Sequence, residues 1–311
     1  MWTKIKRYVI QILKMPIEIK KIQHEQDVNF NKLRVGNYRN VMKGFSEARS
    51  QGCGDLVCSL TTYGNRVHDV HYVIKSLLCQ TVLPSKIVLW LSDSEYTAQN
   101  IPISLKNLQR EIDIFDIEFC EDIKSYKKLI PSLKKFPDSL VVTVDDDIIY
   151  PDDLLENLIE EHVSAPKDII CTRAHKIVVK NGTLQPYNKW EYETGCKFSS
   201  HLIFPTSGAG TLFPPGSLHE DIFDSSLFSS LCPTADDVWF KFMALKNGTN
   251  CRPIRDTRDW SSRFIEIKSH QEHALSITNV GLSKNDLYIK QILNHYNNDF
   301  MLEILVDASK N

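Results

Sequence analysis

The chain has 311 residues, which allows one large α/β domain or two modest ones, because single hydrophobic cores stop growing near this size. Hydrophobic residues make up 42% and charged residues 24% of it, and a formal net charge of −2 gives no sign of a nucleic-acid partner. The eight cysteines are scattered singly, without the close pairs of structural zinc sites, which indicates reduced thiols in a cytosolic protein.

The first element in chain order is an amphipathic segment at the N-terminus. Apolar residues recur at helical spacing in MWTKIKRYVIQILKM, and basic residues lie between them, as in helices that rest on anionic membrane surfaces. Charges interrupt the run before it reaches a membrane-spanning length, so we expect neither a signal peptide nor a transmembrane helix. Peripheral membrane contact through residues 1–24 and packing on the chain's own domain both stay open. Residues 23–54 are polar and are predicted to form a connecting arm.

Alternating strands and helices follow from residue 55 onward. DLVCSLT, KIVLWLSD, residues 112–119 and SLVVTV are apolar runs typical of buried strands, and VHDVHYVIKSLLCQ has the spacing of a helix. This order predicts an α/β fold with a mainly parallel sheet and helices on both faces. Such sheets bind ligands beyond the carboxyl ends of their strands. Residues 61–66, Asp93, Asp122 and residues 145–147 all follow strands, so we expect them at one end of the sheet.

Three adjacent aspartates, Asp145, Asp146 and Asp147, follow the buried run VVTV. Carboxylates this close repel one another, so a cation or hydrogen-bond donors must compensate them. Alternation along a strand would place Asp145 and Asp147 on one face and Asp146 on another. Two carboxylates, with the remaining positions left to water and phosphate oxygens, suit Mg²⁺ or Mn²⁺. A solvated turn is the simpler alternative, and Asp152 and Asp153 are assigned to capping the helix in LLENLIEEH.

The sequence resembles the GT-A glycosyltransferases, in particular bacterial enzymes that build capsule, lipopolysaccharide or other surface glycans. The resemblance covers residues 55–255 and rests on the order of five segments, SLTTYGNR, SLLCQTVLPSKIVLWLSD, VVTVDDDIIYP, TSGAGTLFPP and TADDVWF. It implies the GT-A α/β fold, in which a DXD motif and Mn²⁺ or Mg²⁺ hold a nucleotide-diphosphate sugar, usually a UDP sugar. The expected activity is transfer of that sugar to a glycan or glycolipid acceptor.

The resemblance also implies roles for single residues. Asp147 becomes the chief metal ligand, and Asp145 assists it or joins Asp146 near the ribose. Arg66 would pair with phosphate or stack on the base, although its loop also reads as a simple helix entry. The expected nucleotide-binding residues are Thr61, Thr62, Tyr63, Arg66, Asp122, Lys128, Asp145 and Asp146.

A second acidic pair, Asp236 and Asp237, begins the predicted helix DDVWFKFMALKNG. In inverting GT-A enzymes an acidic residue at such a helix start takes the proton from the attacking hydroxyl. By resemblance Asp237 is the expected base, whereas Asp236 would bind acceptor or cap the helix. A turn formed by Gly208, Ala209 and Gly210 is expected to line the sugar end of the site, or to be only a tight turn between strands. His270 and His273 are candidates for a further metal ligand or ordinary surface histidines.

These expectations divide the chain into three parts. Residues 1–54 form a basic amphipathic helix and arm, residues 55–255 the catalytic domain with its nucleotide half ending near residue 150, and residues 256–311 a loop and helix that close the site. The expected location is cytoplasmic, and peripheral contact at the inner membrane face stays open. Two alternatives remain, a haloacid-dehalogenase-like phosphatase that uses Asp145 and Asp147, and a noncatalytic sugar-binding domain. Donor sugar, acceptor, stereochemistry and oligomeric state are not readable from the sequence.

Overall fold

A computed structural model describes residues 2–45, 55–267, 284–297 and 300–308. The strands are β1 (Leu56–Thr61), β2 (Lys86–Ser92), β3 (Phe115–Cys120), β4 (Leu140–Thr143), β5 (Ile148–Ile149), β6 (Ile169–Cys171), β7 (Ala174–Lys176), β8 (Val179–Lys180), β9 (Thr183–Leu184), β10 (Ile203–Pro205), β11 (Thr211–Phe213), β12 (Cys251–Pro253) and β13 (Ile265–Glu266). The helices are α1 (Trp2–Gly36), α2 (Tyr38–Phe45), α3 (Val70–Leu78), α4 (Ile103–Glu111), α5 (Ile130–Lys135), α6 (Leu154–Ser164), α7 (Ser225–Leu231), α8 (Asp236–Lys246), α9 (Trp260–Arg263), α10 (Lys284–His295) and α11 (Met301–Ala308).

The central sheet contains seven of the described strands, in the order β12-β6-β11-β4-β1-β2-β3. β1 pairs in parallel with β2 and β4, β2 pairs in parallel with β3, and β6 pairs in parallel with β12. β11 is antiparallel to both of its neighbours, β4 and β6. Six of these seven strands therefore run in one direction, and the prediction of a mainly parallel α/β sheet is confirmed.

Helices cover both faces of this sheet, as predicted. Successive strand residues point to opposite faces, so Val142 and Val141 of β4 belong to two different hydrophobic cores. The core on the Val142 side includes residues of α3, α4 and α6. The core on the Val141 side includes residues of α5, α7, α8 and α10. Burial on both faces explains why β1 and β2 are almost continuously apolar.

The N-terminal segment differs from the sequence prediction. The part expected to be a connecting arm is helical through Gly36 in α1 and from Tyr38 to Phe45 in α2. Two buried side chains, Val35 and Tyr38, anchor these helices in the core beside α3. Their burial explains the helical structure, because packing of a few apolar residues stabilises helices that are otherwise polar. None of the described helices combines the length and the apolarity needed to cross a membrane.

The two aspartates before α6 do not have the capping role that the sequence suggested. Asp153 is the N-cap residue of α6 but makes no side-chain capping hydrogen bond. Asp152 forms an ion pair with Arg34 of α1, and Asp153 forms one with Arg258 at 2.6 Å. These carboxylates therefore tie α1 and the segment before α9 to the start of α6.

Candidate functional site

A cavity of about 650 Å³ lies at the edge of the sheet where β1, β3 and β4 end, within the size range of small-molecule sites. β11 is antiparallel, so the residues just before it reach the same edge. Thirteen residues predicted for the site line this cavity: Thr61, Thr62, Tyr63, Arg66, Asp122, Lys128, Asp145, Asp146, Asp147, Gly208, Ala209, Asp236 and Asp237. Gly210 and Asp93 are not among its lining residues, and His270 and His273 lie outside the described residues.

The loop after β1 holds Arg66 against the acidic triplet. One terminal nitrogen of Arg66 lies 2.9 Å from Asp146 Oδ1 and 3.1 Å from Asp147 Oδ2. The Thr62 hydroxyl donates to Asp146 Oδ2 at 2.6 Å. The guanidinium group lies 5.2 Å from the centre of the Tyr63 ring, within cation–π range. Arg66 is thus fixed by contacts on three sides, and its Nε has no hydrogen-bond partner among the described residues.

The triplet does not alternate as a strand would. β4 ends at Thr143, and Asp146 and Asp147 lie in a turn, so Asp146 and Asp147 share Arg66 while Asp145 stands apart. Asp146 is 5% exposed, and burial raises its pKa although Arg66 and Thr62 oppose that effect. Arg66 and Thr62 thus supply the compensation that adjacent carboxylates require.

Lys128 is the buried link between the two acidic groups. Its ammonium group lies 3.2 Å from Asp145 Oδ1 and 2.9 Å from Asp236 Oδ2. Burial alone would lower the pKa of Lys128, but the nearby carboxylates Asp145, Asp236 and Asp237 outweigh it and hold that pKa well above its usual range. Lys128 is one of the residues expected from the sequence to bind the nucleotide. In the structure it is committed to protein carboxylates, because an unpaired buried ammonium group would be costly.

Asp122 and Lys127 form a second ion pair on the same side of the cavity. Lys127 is 3% exposed, whereas Asp122 is exposed. Burial would raise the pKa of Asp122, but its contact with Lys127 lowers it overall. We call residues 61–66, 122–128 and 145–147 together the charged wall of the cavity.

Asp236 and Asp237 begin α8, and neither acts as its cap. The N-cap residue is Ala235, which makes no side-chain capping bond. Asp236 is paired with Lys128, and Asp237 Oδ1 accepts hydrogen bonds from the Ser207 backbone N–H at 3.0 Å and from the Ser207 hydroxyl. Burial, and then the charge of Asp236, raises the pKa of Asp237 to about 6, against the opposing effect of Lys128. A carboxylate with this pKa can accept a proton near neutral pH.

Gly208 and Gly210 of the small-residue turn are glycines for different structural reasons. A Cβ atom at Gly208 would lie 1.7 Å from Asp145 Oδ2, so only glycine allows the carboxylate to occupy its place. The Tyr150 hydroxyl bridges the same two residues, since it accepts from Asp145 N at 2.8 Å and donates to Gly208 O. Gly210 has a φ of +106°, and a Cβ atom there would lie 2.8 Å from Leu154 Cδ1. Gly210 therefore packs against Leu154 of α6 and is not among the residues that line the cavity, as the tight-turn alternative allows.

The acidic residues fit a divalent cation in part. Asp145 and Asp147 both line the cavity, and carboxylate oxygens are the hard donors that Mg²⁺ and Mn²⁺ prefer. Within the described ranges, no group of three His, Cys, Asp or Glu side chains is arranged to hold an ion. This donor set fits a cation that takes most of its ligands from water and from bound phosphate oxygens.

A second side of the cavity was not predicted from the sequence. We call this side the aromatic wall, and it consists of Arg173, His175, Tyr187, Tyr192, Phe204 and Trp260. Glu95, Thr206 and Asn285 also line the cavity and were not predicted. The one available signal was the aromatic density of PYNKWEY, since the other positions are scattered through the chain.

No family model matches this chain, and no curated protein matches it by sequence. Among solved structures it is similar to a 4-diphosphocytidyl-2C-methyl-D-erythritol synthase, at 12% identity over 74% of this chain and 98% of that chain, with a TM-score of 0.40. A UTP-bound UGPase from Acinetobacter baumannii is 9% identical over 76% of this chain and 96% of that chain, with a TM-score of 0.40. Residues 1–349 of TarS from S. aureus are 13% identical over 78% of this chain and 71% of that chain, with a TM-score of 0.42. The function of the chain is therefore to be inferred from its own residues.

Proposed function

We propose that this chain is an inverting glycosyltransferase of the GT-A type that moves a sugar from a nucleoside-diphosphate donor, preferably a UDP sugar, to a glycan or glycolipid acceptor in bacterial surface-polysaccharide synthesis. The observation that carries the proposal is the presence of two separate acidic groups on one cavity, joined by buried Lys128. One group suits the donor diphosphate and the other the acceptor hydroxyl.

Asp237 is the proposed base of the transfer. The acceptor hydroxyl oxygen forms a bond to the anomeric carbon of the donor sugar, the bond from that carbon to the diphosphate oxygen breaks, and the hydroxyl proton passes to the Asp237 carboxylate. A pKa of about 6 keeps this carboxylate mostly ionised at neutral pH and still basic enough to accept the proton. The two hydrogen bonds from Ser207 hold Asp237 Oδ1 in place.

The charged wall is the proposed donor side. Exposed Lys124 lines it, and Arg66 has an Nε without a hydrogen-bond partner among the described residues, so both can pair with phosphate oxygens, and the Tyr63 ring offers a surface for a base. A Mg²⁺ or Mn²⁺ ion held by Asp145 and Asp147 would neutralise the diphosphate as it leaves. Arg66 lies 3.1 Å from Asp147 Oδ2 and Lys128 lies 3.2 Å from Asp145 Oδ1, and these ion pairs hold both carboxylates in place at the cavity.

The test uses the purified chain with a panel of nucleotide sugars and Mn²⁺, and measures release of nucleoside diphosphate. We expect release from one donor class and its loss in Asp147→Ala, whereas Asp116→Ala, a substitution outside the cavity lining, keeps it. Phosphate release from sugar phosphates, with nucleotide sugars untouched, would instead support the phosphatase alternative. UDP binding that depends on metal, without turnover with any acceptor, would support the noncatalytic alternative.

We further propose that α1 contacts an anionic membrane surface. Residues 2–22 contain six basic residues and one acidic residue, and Ile17, Ile19 and Ile22 of α1 are at least half exposed. Apolar side chains on a basic helix are the pattern that binds anionic lipid surfaces. We expect flotation with vesicles that contain 30% phosphatidylserine, and loss of it in an Ile17→Ser, Ile19→Ser, Ile22→Ser variant. Val163→Ser, at an equally exposed apolar residue, is the matched control. Equal flotation of all forms, or none by the wild type, contradicts this proposal.

A further inference from the structure

The aromatic wall forms a continuous surface beside Asp237. The His175 ring centre lies 4.4 Å from that of Tyr192, and the Tyr187 and Tyr192 rings meet edge to face at 5.8 Å. Tyr192 is 43% exposed, so part of its ring is open to a ligand. Burial, and next the charge of Asp237, raises the pKa of Tyr187. Tyr187, Tyr192 and Asp237 line the same cavity, so a partly open aromatic ring shares it with the proposed base.

One polar atom on this side, Asn285 Oδ1, lacks a hydrogen-bond partner among the described residues. Asn285 is 6% exposed and lines the cavity. Its neighbour Asp286 accepts a hydrogen bond from Tyr187 N at 2.7 Å, which fixes the start of α10 against the aromatic wall. Buried polar atoms are nearly always paired, so an open amide on a cavity points to a ligand group.

His175 supplies a donor on the same wall. Its Nδ1 accepts a hydrogen bond from Glu193 N at 3.1 Å, which leaves the proton of the neutral ring on Nε2. Burial, and then the charge of Arg173, lowers the pKa of His175 to about 4, so the ring is neutral at physiological pH. His175 can therefore donate a hydrogen bond without attracting an anion.

The charge balance of this side disfavours an anionic ligand. Arg173, the basic residue of the aromatic wall, has its Nε 3.0 Å from Glu193 Oε1 and its guanidinium 5.0 Å from the Trp260 ring centre. Asp236 and Asp237 line the same end of the cavity. A phosphate or carboxylate placed here would meet Asp237, an Asp236 already paired with Lys128, and an arginine already paired with Glu193, so these residues offer it no unpaired positive charge.

From these contacts we infer that Tyr187, Tyr192, His175 and Asn285 form the acceptor subsite and that it takes a neutral sugar ring. The C–H face of the ring would stack on Tyr192, and its hydroxyls would bond to Asn285 Oδ1 and His175 Nε2. A lipid tail would leave these polar groups unpaired, which is costly in a buried site. The inference rests on the proposed glycosyltransferase function and deepens it by naming the acceptor class.

The experiment is saturation-transfer difference NMR on the full chain. The neutral probes are the methyl glycosides of glucose, galactose and N-acetylglucosamine; methyl glucuronide is the anionic probe, and UDP with Mg²⁺ reports on the charged wall. We expect transfer to at least one neutral glycoside, stronger than to the glucuronide. Tyr192→Ala and Asn285→Ala should each weaken glycoside binding by about tenfold, with the UDP signal unchanged. Phe198→Ala, at a half-exposed aromatic residue outside the cavity lining, should change neither.

Three results would overturn the inference: no neutral glycoside receives transfer, the glucuronide is preferred, or Tyr192→Ala binds glycosides as the wild type does. The proposed function fails separately. In that case UDP gives no signal with any form of the protein, whereas the glycoside response still depends on Tyr192.

Discussion

The two walls of the cavity are built in opposite ways. The charged wall comes from three short segments, and its charges are held in ion pairs such as Arg66 with Asp146 and Lys128 with Asp145. The aromatic wall is assembled from distant segments and presents rings around a single arginine. Fixed charges can bind an ionic group such as a diphosphate. Aromatic rings with a few polar atoms can instead recognise a neutral ligand by its shape. The difference indicates that the two proposed substrates would be recognised by different physical means.

The largest expected effect comes from the residue that lies between the two walls. Asp237→Asn removes the proposed base while its shape and its contact with Ser207 N–H can remain. We expect kcat to fall by about 10²- to 10⁴-fold, the usual contribution of general-base catalysis, with little change in UDP affinity. Turnover assays and calorimetric UDP binding check both parts.

The matched control for this variant is Asp224→Asn. Asp224 Oδ1 accepts from Leu227 N at 2.9 Å as the cap of α7, and an asparagine Oδ1 can accept the same hydrogen bond, so this variant should leave both kcat and stability close to those of the wild type. If Asp237→Asn retains turnover within threefold of the wild type, the catalytic base is another residue.

The next effect distinguishes the structural roles of Gly208 and Gly210. Gly208→Ala places a Cβ atom on Asp145, so the carboxylate must leave its position beside Lys128. We expect at least about tenfold weaker UDP binding in the presence of Mn²⁺, a loss of about 1.4 kcal/mol. Calorimetry with and without metal measures it.

Gly210→Ala should instead reduce stability. The positive φ and the contact with Leu154 predict a loss of about 1–3 kcal/mol of unfolding free energy in urea titration. UDP affinity of the folded fraction should stay unchanged, because Gly210 does not line the cavity. Gly195→Ala, where a Cβ atom has open space, is the control for both variants. Equal UDP affinity in Gly208→Ala and the wild type would show that the position of Asp145 does not matter to the donor.

The same contrast explains what the sequence could predict. Asp145, Asp146 and Asp147 follow an unbroken buried strand, and Asp237 starts a clear helix, so strand ends and helix starts located the charged groups. Tyr187, Tyr192 and Asn285 come from loops and a distant helix start, and only tertiary packing brings them together. The role of Gly210 stayed open between a ligand contact and a tight turn, because a sequence does not reveal whether a glycine serves a backbone angle or a ligand. The helices after residue 23 were missed because two buried anchors, Val35 and Tyr38, determine their structure.

A smaller effect concerns the pH dependence of the base. Asp237 must be ionised to accept a proton, so kcat/KM should rise about tenfold per pH unit below pH 6 and level off above it. Ser207→Ala removes a hydroxyl that stabilises the ionised form, so the pKa of Asp237 should rise. The inflection of the profile then moves to higher pH, and the rate at pH 6 falls several-fold while the rate at pH 8 changes little. A profile that is flat between pH 5 and 8 would contradict the assignment of Asp237.

The smallest effect tests whether the ion pair between Arg173 and Glu193 keeps the aromatic wall neutral. Glu193→Gln leaves Arg173 without its carboxylate partner, and both side chains are partly exposed, so unfolding free energy should change by less than about 1 kcal/mol. The added positive charge should raise the affinity for methyl glucuronide relative to methyl glucoside by about two- to fivefold, an effect that weakens in high salt. Lys180→Gln, at an exposed position away from the cavity, should leave this ratio unchanged. A Glu193→Gln ratio equal to that of the wild type would mean that Arg173 does not face the acceptor, and the selectivity for neutral rings would then depend on Asp236 and Asp237 alone.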